Sequence, residues 1–225
     1  MASINNLATA LWHIGDFSGA RTLQEAGLIT ARRVLGEEHA GTLQIASNLA
    51  STLWQLGDLP GAQDLDEVVL AVRLRVLGDE HPDTLQAMGN IATTLWKMGD
   101  LPRARALQET VLVINQRVHG DGNLATLRAM SNLATTLRQM GDLQGALELD
   151  QAVLTTRLEL LGEAHPDTLG SMNNLAFSYF DQGLFLNAQN LMEQAYHGRC
   201  GVLGPDHPDT VNSKESLAAI IAAQK

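Results

Sequence analysis

The feature that most constrains this chain is an eleven-residue stretch that returns at a fixed interval. Residues 48–58 read NLASTLWQLGD, and 42 residues later residues 90–100 read NIATTLWKMGD. Residues 132–142 read NLATTLRQMGD, and partial copies lie one interval earlier, at residues 6–16, and one interval later, at residues 174–183. Five copies without insertion or deletion indicate a solenoid built from one repeated supersecondary unit.

Each repeat contains two amphipathic helical patterns, which we name A and B. In the second repeat, Leu43, Leu49 and Leu53 follow helical spacing along helix A. The apolar stripe predicted for helix B comprises Leu59, Ala62, Leu65, Val69, Val72 and Val76. A glycine follows every A helix and every B helix, and it predicts a left-handed residue that ends each of them.

The segments between helices predict how each helix begins. Asp58 follows the glycine that ends helix A, and its carboxylate can cap helix B. The linker at residues 78–84 reads GDEHPDT, so Pro82 suits the first turn of the next helix A. Asp83 or Thr84 is predicted to cap that helix.

A histidine recurs at one linker position in four of the repeats. The four are His39, His81, His165 and His207. Stacked repeats hold equivalent atoms roughly 10 Å apart, whereas metal ligands lie about 2 Å from a shared ion. We therefore interpret these histidines as residues that order the helix entry, and we predict no metal site.

Composition excludes several classes of function. The formal net charge is −10 over 225 residues, with three lysines and no basic run, so neither nucleic acid nor an anionic membrane is an expected partner. Cys200 is the only cysteine, which excludes an internal disulfide and fits a reducing, cytoplasmic location. The longest apolar run, residues 217–223, is far too short to span a bilayer. No phosphate-binding loop or paired nucleophile and base is present, so we expect no cofactor and no enzymatic activity.

The repeated pattern resembles the tetratricopeptide repeat. The match comprises Asn-Leu-Ala, a following Leu, Gly-Asp, and the alanine of helix B, here Ala62. The 42-residue period, residues 77–85 (LGDEHPDTL) and residues 173–176 (NNLA) look like the kinesin light chain subclass. The resemblance covers essentially the whole chain. It implies an all-α, right-handed solenoid of antiparallel helix pairs, whose A helices line a concave groove that binds a partner peptide.

The resemblance also implies which residues meet such a peptide. In peptide-binding members, the asparagine before Leu-Ala hydrogen-bonds the main chain or carboxylate of the ligand. An amide suits that role because it both donates and accepts hydrogen bonds. Here the ladder comprises Asn6, Asn48, Asn90, Asn132 and Asn174. In the alternative, which stays open, each asparagine bonds a neighbouring helix.

Residues beside the ladder vary between repeats and are candidates for specificity. Trp54 and Trp96 are either hot spots of binding or wedges between successive A helices. Lys97, Arg128 and Arg138 are predicted to gather near the third and fourth repeats. We expect them to anchor an acidic side chain or a C-terminal carboxylate.

The predicted architecture is a single array. The repeats span about 1–40, 41–82, 83–124, 125–166 and 167–208, and a terminal helix spans 209–225. The leading prediction is a non-enzymatic scaffold that binds a peptide; the alternative is a sensor or self-association segment of a larger multidomain signalling protein. Because Leu217, Ala218, Ile220 and Ile221 lie on a last helix without a B partner, end-to-end self-association is also expected; in the alternative, this helix is a cap and the chain stays monomeric.

Overall fold

The described part of the chain is all-α. The computed structural model describes the backbone of residues 2–224 and the side chains of residues 6–224. Within that part there are eleven helices and no strand. In chain order they are α1 (Ala2–His13), α2 (Phe17–Leu35), α3 (Ala40–Gln55), α4 (Leu59–Leu77), α5 (Pro82–Met98), α6 (Leu101–His119), α7 (Leu124–Gln139), α8 (Leu143–Leu161), α9 (Pro166–Asp181), α10 (Phe185–Val202) and α11 (Pro208–Ala222). Odd-numbered helices are the A helices and even-numbered helices are the B helices, so the predicted fold class is confirmed.

The chain divides into two compact units, Met1–Val111 and Leu112–Lys225. In the first unit, consecutive helices pack against each other from the pair α1 and α2 to the pair α4 and α5. In the second unit, the same holds from α7 to α11. The boundary falls inside α6, and the repeat ranges given above stay a prediction.

Alanines at two positions of the repeat let the A and B helices approach closely. All ten are buried, with at most 1% of their surface exposed. They are Ala8, Ala50, Ala92, Ala134 and Ala176 in the A helices, and Ala20, Ala62, Ala104, Ala146 and Ala188 in the B helices. Small side chains at a crossing bring the helix axes toward the short end of the roughly 8–10 Å range. Buried leucines fill the remaining space, among them Leu49 in the first compact unit and Leu169 in the second.

Glycines end the helices as predicted, in two different conformations. The ten glycines at these positions have φ between 76° and 93°. Gly99, after an A helix, has ψ of 5°, the left-handed helical conformation. Gly78, after a B helix, has ψ of 172°, a region that is essentially closed to residues with a Cβ. The B-to-A turn therefore requires glycine more strictly than the A-to-B turn does.

Side-chain caps begin both kinds of helix. Asp58 Oδ1 accepts a hydrogen bond of 3.1 Å from the backbone N–H of Gly61, which confirms the predicted cap of helix B. The predicted cap of helix A is wrong: His81 Nδ1, and not Asp83 or Thr84, accepts a hydrogen bond, at 3.1 Å from the N–H of Asp83. Imidazole has a ring nitrogen that can accept a hydrogen bond, and His81 precedes the helix at a position from which this nitrogen reaches an N–H of the first turn.

The other linkers repeat this arrangement. His39, His165 and His207 each accept the same kind of bond, at 3.0, 3.1 and 3.2 Å. In the linker that lacks histidine, Asn123 Oδ1 takes the position and accepts from the N–H of Ala125 at 2.8 Å. The interpretation of the histidines as residues that order the helix entry is confirmed. Over the described side chains, no group of three or more His, Cys, Asp or Glu residues is placed to hold a metal ion.

The buried stripe of helix B differs from the predicted one. In α4 the buried residues are Ala62, Asp66, Val69 and Arg73. Val76, which belonged to the predicted stripe, is 52% exposed, and Leu65 and Val72 are only half-buried. The prediction followed apolar residues alone, and it missed two polar residues that lie deeper.

The buried arginine of helix B ties it to the next A helix. Arg73 Nη1 donates a hydrogen bond of 2.8 Å to the backbone oxygen of Asp83. The equivalent bonds run from Arg157 to Asp167, at 3.1 Å, and from Arg199 to Asp209, at 3.0 Å. Each guanidinium therefore fixes the first turn of the following A helix.

Helix α11 packs on α10 and is better covered than the sequence suggested. Ile220 is 1% exposed and belongs to a buried cluster with Ala188 and Met192. Its assignment to an uncovered apolar patch was wrong, whereas Ile221 is 38% exposed, and Val211 of the same helix is 40% exposed. Cys200 is half-buried in α10. Among residues 2–224, no helix combines the length and the apolar character that crossing a membrane requires.

Candidate functional site

The asparagine ladder occupies one position of successive A helices, but its members differ in exposure. Asn48, Asn90 and Asn174 are half-buried, whereas Asn6 and Asn132 are exposed. A uniform structural role would give uniform burial. Each asparagine is therefore described by its own surroundings.

Asn90 bonds the neighbouring B helix. Its amide donates a hydrogen bond to the carboxylate of Asp66 in α4. Asp66 is 3% exposed, and its Oδ1 has no hydrogen-bond partner among the described residues. Burial raises the pKa of the Asp66 carboxyl to about 7, and the Asn90 hydrogen bond and the charge of Arg73 only partly oppose that effect. At this position the asparagine contacts a neighbouring helix, as the alternative expected, while peptide binding by the ladder stays a prediction.

A cavity of about 250 Å³ opens beside Asp66 in the first compact unit. Trp12 of α1, Trp54 of α3 and Asn90 of α5 line it together with Asp66. The remaining lining residues are Ala50, Ser51, Gln55, Thr93 and Thr94. The indole Nε1 atoms of Trp12 and Trp54 are buried and have no hydrogen-bond partner. Two unused donors and one unused acceptor therefore belong to residues around a single cavity.

A second cavity of about 210 Å³ lies one repeat earlier. Thr9, Trp12, Gln24, Asn48 and Ser51 line it. Gln24 occupies the position of helix B that Asp66 occupies in the next repeat, and its Oε1 also lacks a partner. The two cavities are thus lined by residues at equivalent repeat positions, but the side chain at the shared position of helix B is a neutral amide in one, Gln24, and a carboxyl group in the other, Asp66.

The tryptophans have a structural part as well. All of them are half-buried. Trp54 packs against the core cluster that contains Leu49, and Trp96 packs against Ile91 and Leu95. Trp54 lines the larger cavity and Trp96 lines neither cavity. Ile91 and Leu95 lie in the same helix as Trp96, so a wedge between successive A helices stays a prediction for both tryptophans, as does a role in binding.

The predicted cationic anchor is divided between the two compact units. Lys97 belongs to the first unit, where its Nζ lies 5.9 Å from the centroid of the Trp54 ring. Arg128 and Arg138 belong to the second unit, and Arg128 is exposed on α7. The gathering of all three cations at one place stays a prediction.

Arg138 is already engaged within the chain. Its Nε lies 3.3 Å from Asp181 Oδ2, and its guanidinium lies 5.4 Å from the centroid of the Phe177 ring. Only 21% of the side chain is exposed. An acidic ligand would have to displace Asp181 in order to use this arginine, whereas Arg128 carries no such restraint in the described part of the chain.

Asp150 is the counterpart of Asp66 in the second compact unit. It lies in α8 at the same position of helix B and is also 3% exposed. Ser178 Oγ donates a hydrogen bond of 2.6 Å to Asp150 Oδ2. Burial raises the pKa of the Asp150 carboxyl, while the bond from Ser178 and the charge of Arg138 lower it.

Sequence reasoning missed this polar position of helix B. Its occupants are Gln24, Asp66, Gln108 and Asp150, followed by Met192 in the last B helix. The signal was present, because the 42-residue register places an acid or an amide at one position in four repeats, four residues after the recurring alanine of helix B. A polar residue that recurs on an apolar face indicates a buried hydrogen-bonding role.

Comparison with known families gives one clear match. The sequence profile of the tetratricopeptide repeat matches residues 1–75, 45–112, 83–159 and 125–200, which together reach from residue 1 to residue 200. Among curated protein sequences no relative matches.

Solved structures with the same fold include kinesin light chain-like proteins. One is a single-substitution variant of a Podosopora anserina protein assigned as a kinesin light chain, with nearly identical TPR-like repeats. It is 27% identical, with a TM-score of 0.79 over 89% of this chain and 94% of that one. BtubC (BKLC) from P. vanneervenii is 23% identical, with a TM-score of 0.77 over 91% of this chain and 81% of that one. MamA is more distant, with 14% identity and a TM-score of 0.57 over 85% of this chain and 94% of that one. The last two show the fold alone.

Proposed function

The chain belongs to the tetratricopeptide repeat family, and from that premise we propose that it is a non-enzymatic scaffold that binds a peptide segment of a partner protein along its A helices. Tetratricopeptide repeats are generally protein–protein interaction scaffolds. We further propose a cytoplasmic location, on the composition and the single cysteine.

The observation that carries the proposal is the set of unused polar atoms around the larger cavity. Nε1 of Trp12 and Nε1 of Trp54 can donate, and Asp66 Oδ1 can accept. A peptide supplies acceptors in its carbonyl groups and donors in its N–H groups and side chains. Ten buried side-chain atoms of the described residues lack a hydrogen-bond partner, and four of them belong to residues that line the two cavities: Trp12, Gln24, Trp54 and Asp66. Because buried polar groups without a partner are rare in folded proteins, this group of four supports a ligand that completes them.

The proposed binding face includes Asn48, Asn90 and Trp54, which line the two cavities, and Lys97 beside Trp54. In the second compact unit we propose Asn132, Asn174 and Arg128 as further contacts. Arg138 would take part only after it leaves Asp181. Trp96 contributes through packing.

The experiment is a peptide-array screen with the intact chain, followed by solution affinities for the selected peptides. Ser51 lines both cavities and is exposed, so Ser51→Phe should fill them. We expect this variant to weaken binding by about tenfold or more, since a tenfold change corresponds to about 1.4 kcal/mol. Ala71→Phe is the matched control, because Ala71 is exposed on α4 and lines neither cavity. A screen without any bound peptide, or equal binding by both variants, would contradict the proposal.

The acidic anchor has its own test. Arg128→Glu should weaken binding of acidic peptides, and rising salt should weaken wild-type binding to them, since salt screens exposed charges. Acidic peptides that bind this variant as well as they bind the wild type would remove Arg128 from the site.

A further inference from the structure

The larger cavity is built around a carboxylate that has no cation bonded to it. Asp66 uses one hydrogen bond from Asn90, and Oδ1 remains without a partner. The cation nearest to it in sequence on the same helix is Arg73, but the Arg73 guanidinium is bonded to the backbone oxygen of Asp83. A buried carboxylate without a bonded cation is strongly stabilised by a positive charge that enters beside it.

The walls of the cavity suit a cation too. Trp12 and Trp54 present indole rings to it, and the faces of such rings attract ammonium and guanidinium groups. The chain itself gives an example, because Lys97 Nζ lies 5.9 Å from the centroid of the Trp54 ring. Lys97 is exposed, so a cation of a ligand can reach the Trp54 ring if the lysine side chain moves away from it.

We propose that the cavity formed by Trp12, Trp54 and Asp66 binds the cationic side chain of an arginine or lysine in the partner peptide. The ammonium or guanidinium group of that side chain donates a hydrogen bond to Asp66 Oδ1. The two indole rings contact its aliphatic part and make cation–π interactions with its charged group. A cavity of about 250 Å³ has room for one such side chain. The inference rests on the proposed peptide-binding function and specifies the chemistry that its first compact unit selects. The net charge of −10 favours approach of a basic segment.

The neighbouring cavity provides an internal contrast. Its deepest polar residue is Gln24, a neutral amide at the repeat position of Asp66. Gln24 and Gln108 also show that an amide at this position is compatible with the fold. Asp66→Asn is therefore expected to fold, and its matched control is Asp150→Asn, in which the equivalent carboxylate of the other compact unit is removed.

The test uses the three indole N–H signals of the intact chain in nitrogen–proton correlation spectra. The probes are Nα-acetyl-arginine amide, its lysine analogue, the neutral isostere Nα-acetyl-citrulline amide, and Nα-acetyl-glutamate amide. We expect saturable shifts of the Trp12 and Trp54 signals with the arginine and lysine probes, about tenfold weaker binding of the citrulline probe, and no shift of Trp96. The glutamate probe should not bind at these indoles.

Variants complete the test. Asp66→Asn should bind the arginine and citrulline probes equally, whereas Asp150→Asn should keep the wild-type preference. Lys97→Gln removes the chain's own cation from Trp54, and we expect it to bind the arginine probe more tightly. Equal binding of the arginine and citrulline probes by the wild type, or an arginine preference that survives Asp66→Asn, would overturn the inference.

The outcome separates the inference from the proposed function. One result is a set of array peptides that lose binding in Ser51→Phe and yet bind the wild type without any Arg or Lys of their own. That result would support the scaffold function and refute the cationic pocket. Binding of the arginine probe at Trp12 and Trp54, without any peptide on the array, would support the pocket and refute peptide binding.

Discussion

Asp66 and Asp150 occupy the same position of helix B in different compact units, yet their surroundings differ. Both are 3% exposed. Asp150 Oδ2 accepts a hydrogen bond of 2.6 Å from Ser178, whereas Asp66 Oδ1 has no partner and Asp66 lines a cavity. Each carboxylate accepts one side-chain hydrogen bond, which comes from Asn90 in the case of Asp66. Asp66, unlike Asp150, also lines a cavity and has a buried oxygen without a partner among the described residues.

The A-helix residue opposite each carboxylate accounts for this difference. Thr94 and Ser178 are equivalent in the repeat. Thr94 Oγ1 donates to the backbone oxygen of Asn90 in its own helix, at 3.2 Å, a bond that β-branched threonine commonly makes in helices. Ser178 instead turns its hydroxyl to Asp150. The comparison teaches that one repeated backbone can carry a closed structural contact in one place and an open polar cavity in another.

The largest expected effect is the pH dependence contributed by Asp66. Its folded-state pKa of about 7 lies above the ordinary value of 3.8, so the unfolded chain releases this proton at lower pH than the folded chain does. The wild type should lose stability relative to Asp66→Asn as the pH rises from about 4 to about 7, by on the order of 4 kcal/mol, with no further change above that range. Denaturant unfolding across that window measures the difference.

Asp150→Asn serves as the comparison in that experiment. It should show a change of the same sign, because burial also raises the pKa of Asp150, and Ser178 and Arg138 only partly oppose that effect. A flat stability difference between wild type and Asp66→Asn would show that Asp66 is already matched by a partner.

The second expected effect concerns the residues opposite the two carboxylates. Ser178→Ala leaves the buried Asp150 carboxylate without its 2.6 Å bond and should lower the free energy of unfolding by about 2 kcal/mol at neutral pH. Thr94→Val keeps the shape of the side chain and removes a hydroxyl that bonds only a helical carbonyl, so it should cost about 0.5 kcal/mol or less. Equal losses of unfolding free energy in chemical denaturation would mean that the hydroxyls of Ser178 and Thr94 contribute alike, which contradicts the proposed difference between the two sites.

The smallest expected effect separates two members of the asparagine ladder. Asn90→Ala removes the hydrogen bond to the Asp66 carboxylate and should destabilise the fold by about 1–2 kcal/mol. Asn132 is exposed, so Asn132→Ala should change stability by no more than about 0.5 kcal/mol. Thermal unfolding of the two variants decides the matter, and matching losses would favour one shared structural role for the ladder.

The fold could be predicted from the sequence because the same helix and turn signals recur from repeat to repeat. Glycine spacing, the alanine positions and the aspartate caps each report local backbone requirements, and Gly78 and Asp58 behave as predicted. The start of helix A was assigned to the wrong residue. Asp83 is a common capping type, and the capping capacity of His81 depends on a ring orientation that no spacing shows.

The candidate site was harder to predict, because its chemistry depends on contacts between helices. Asp66 was overlooked in the sequence because only the apolar residues of helix B were considered. Thr94 donates its hydroxyl hydrogen bond within its own helix and not to Asp66, and the sequence does not show that choice. Similarly, Arg138 and Asp181 are 43 residues apart in the sequence and lie on two different A helices, so their ion pair is visible only in the structure. Recurrence in the register identifies such positions, and side-chain geometry decides what they do.

The most direct test of the account is an NMR titration of the side-chain carboxyl carbons of Asp66 and Asp150, with and without Nα-acetyl-arginine amide. We predict that the pKa of Asp66 is about 7 in the free chain and falls when the probe is added, because a bound cation favours the ionised carboxylate, while Asp150 does not respond. An Asp66 pKa near 4 in the free chain, or an Asp66 titration that the arginine probe leaves unchanged, would contradict the claim that this carboxylate is open to a cationic ligand.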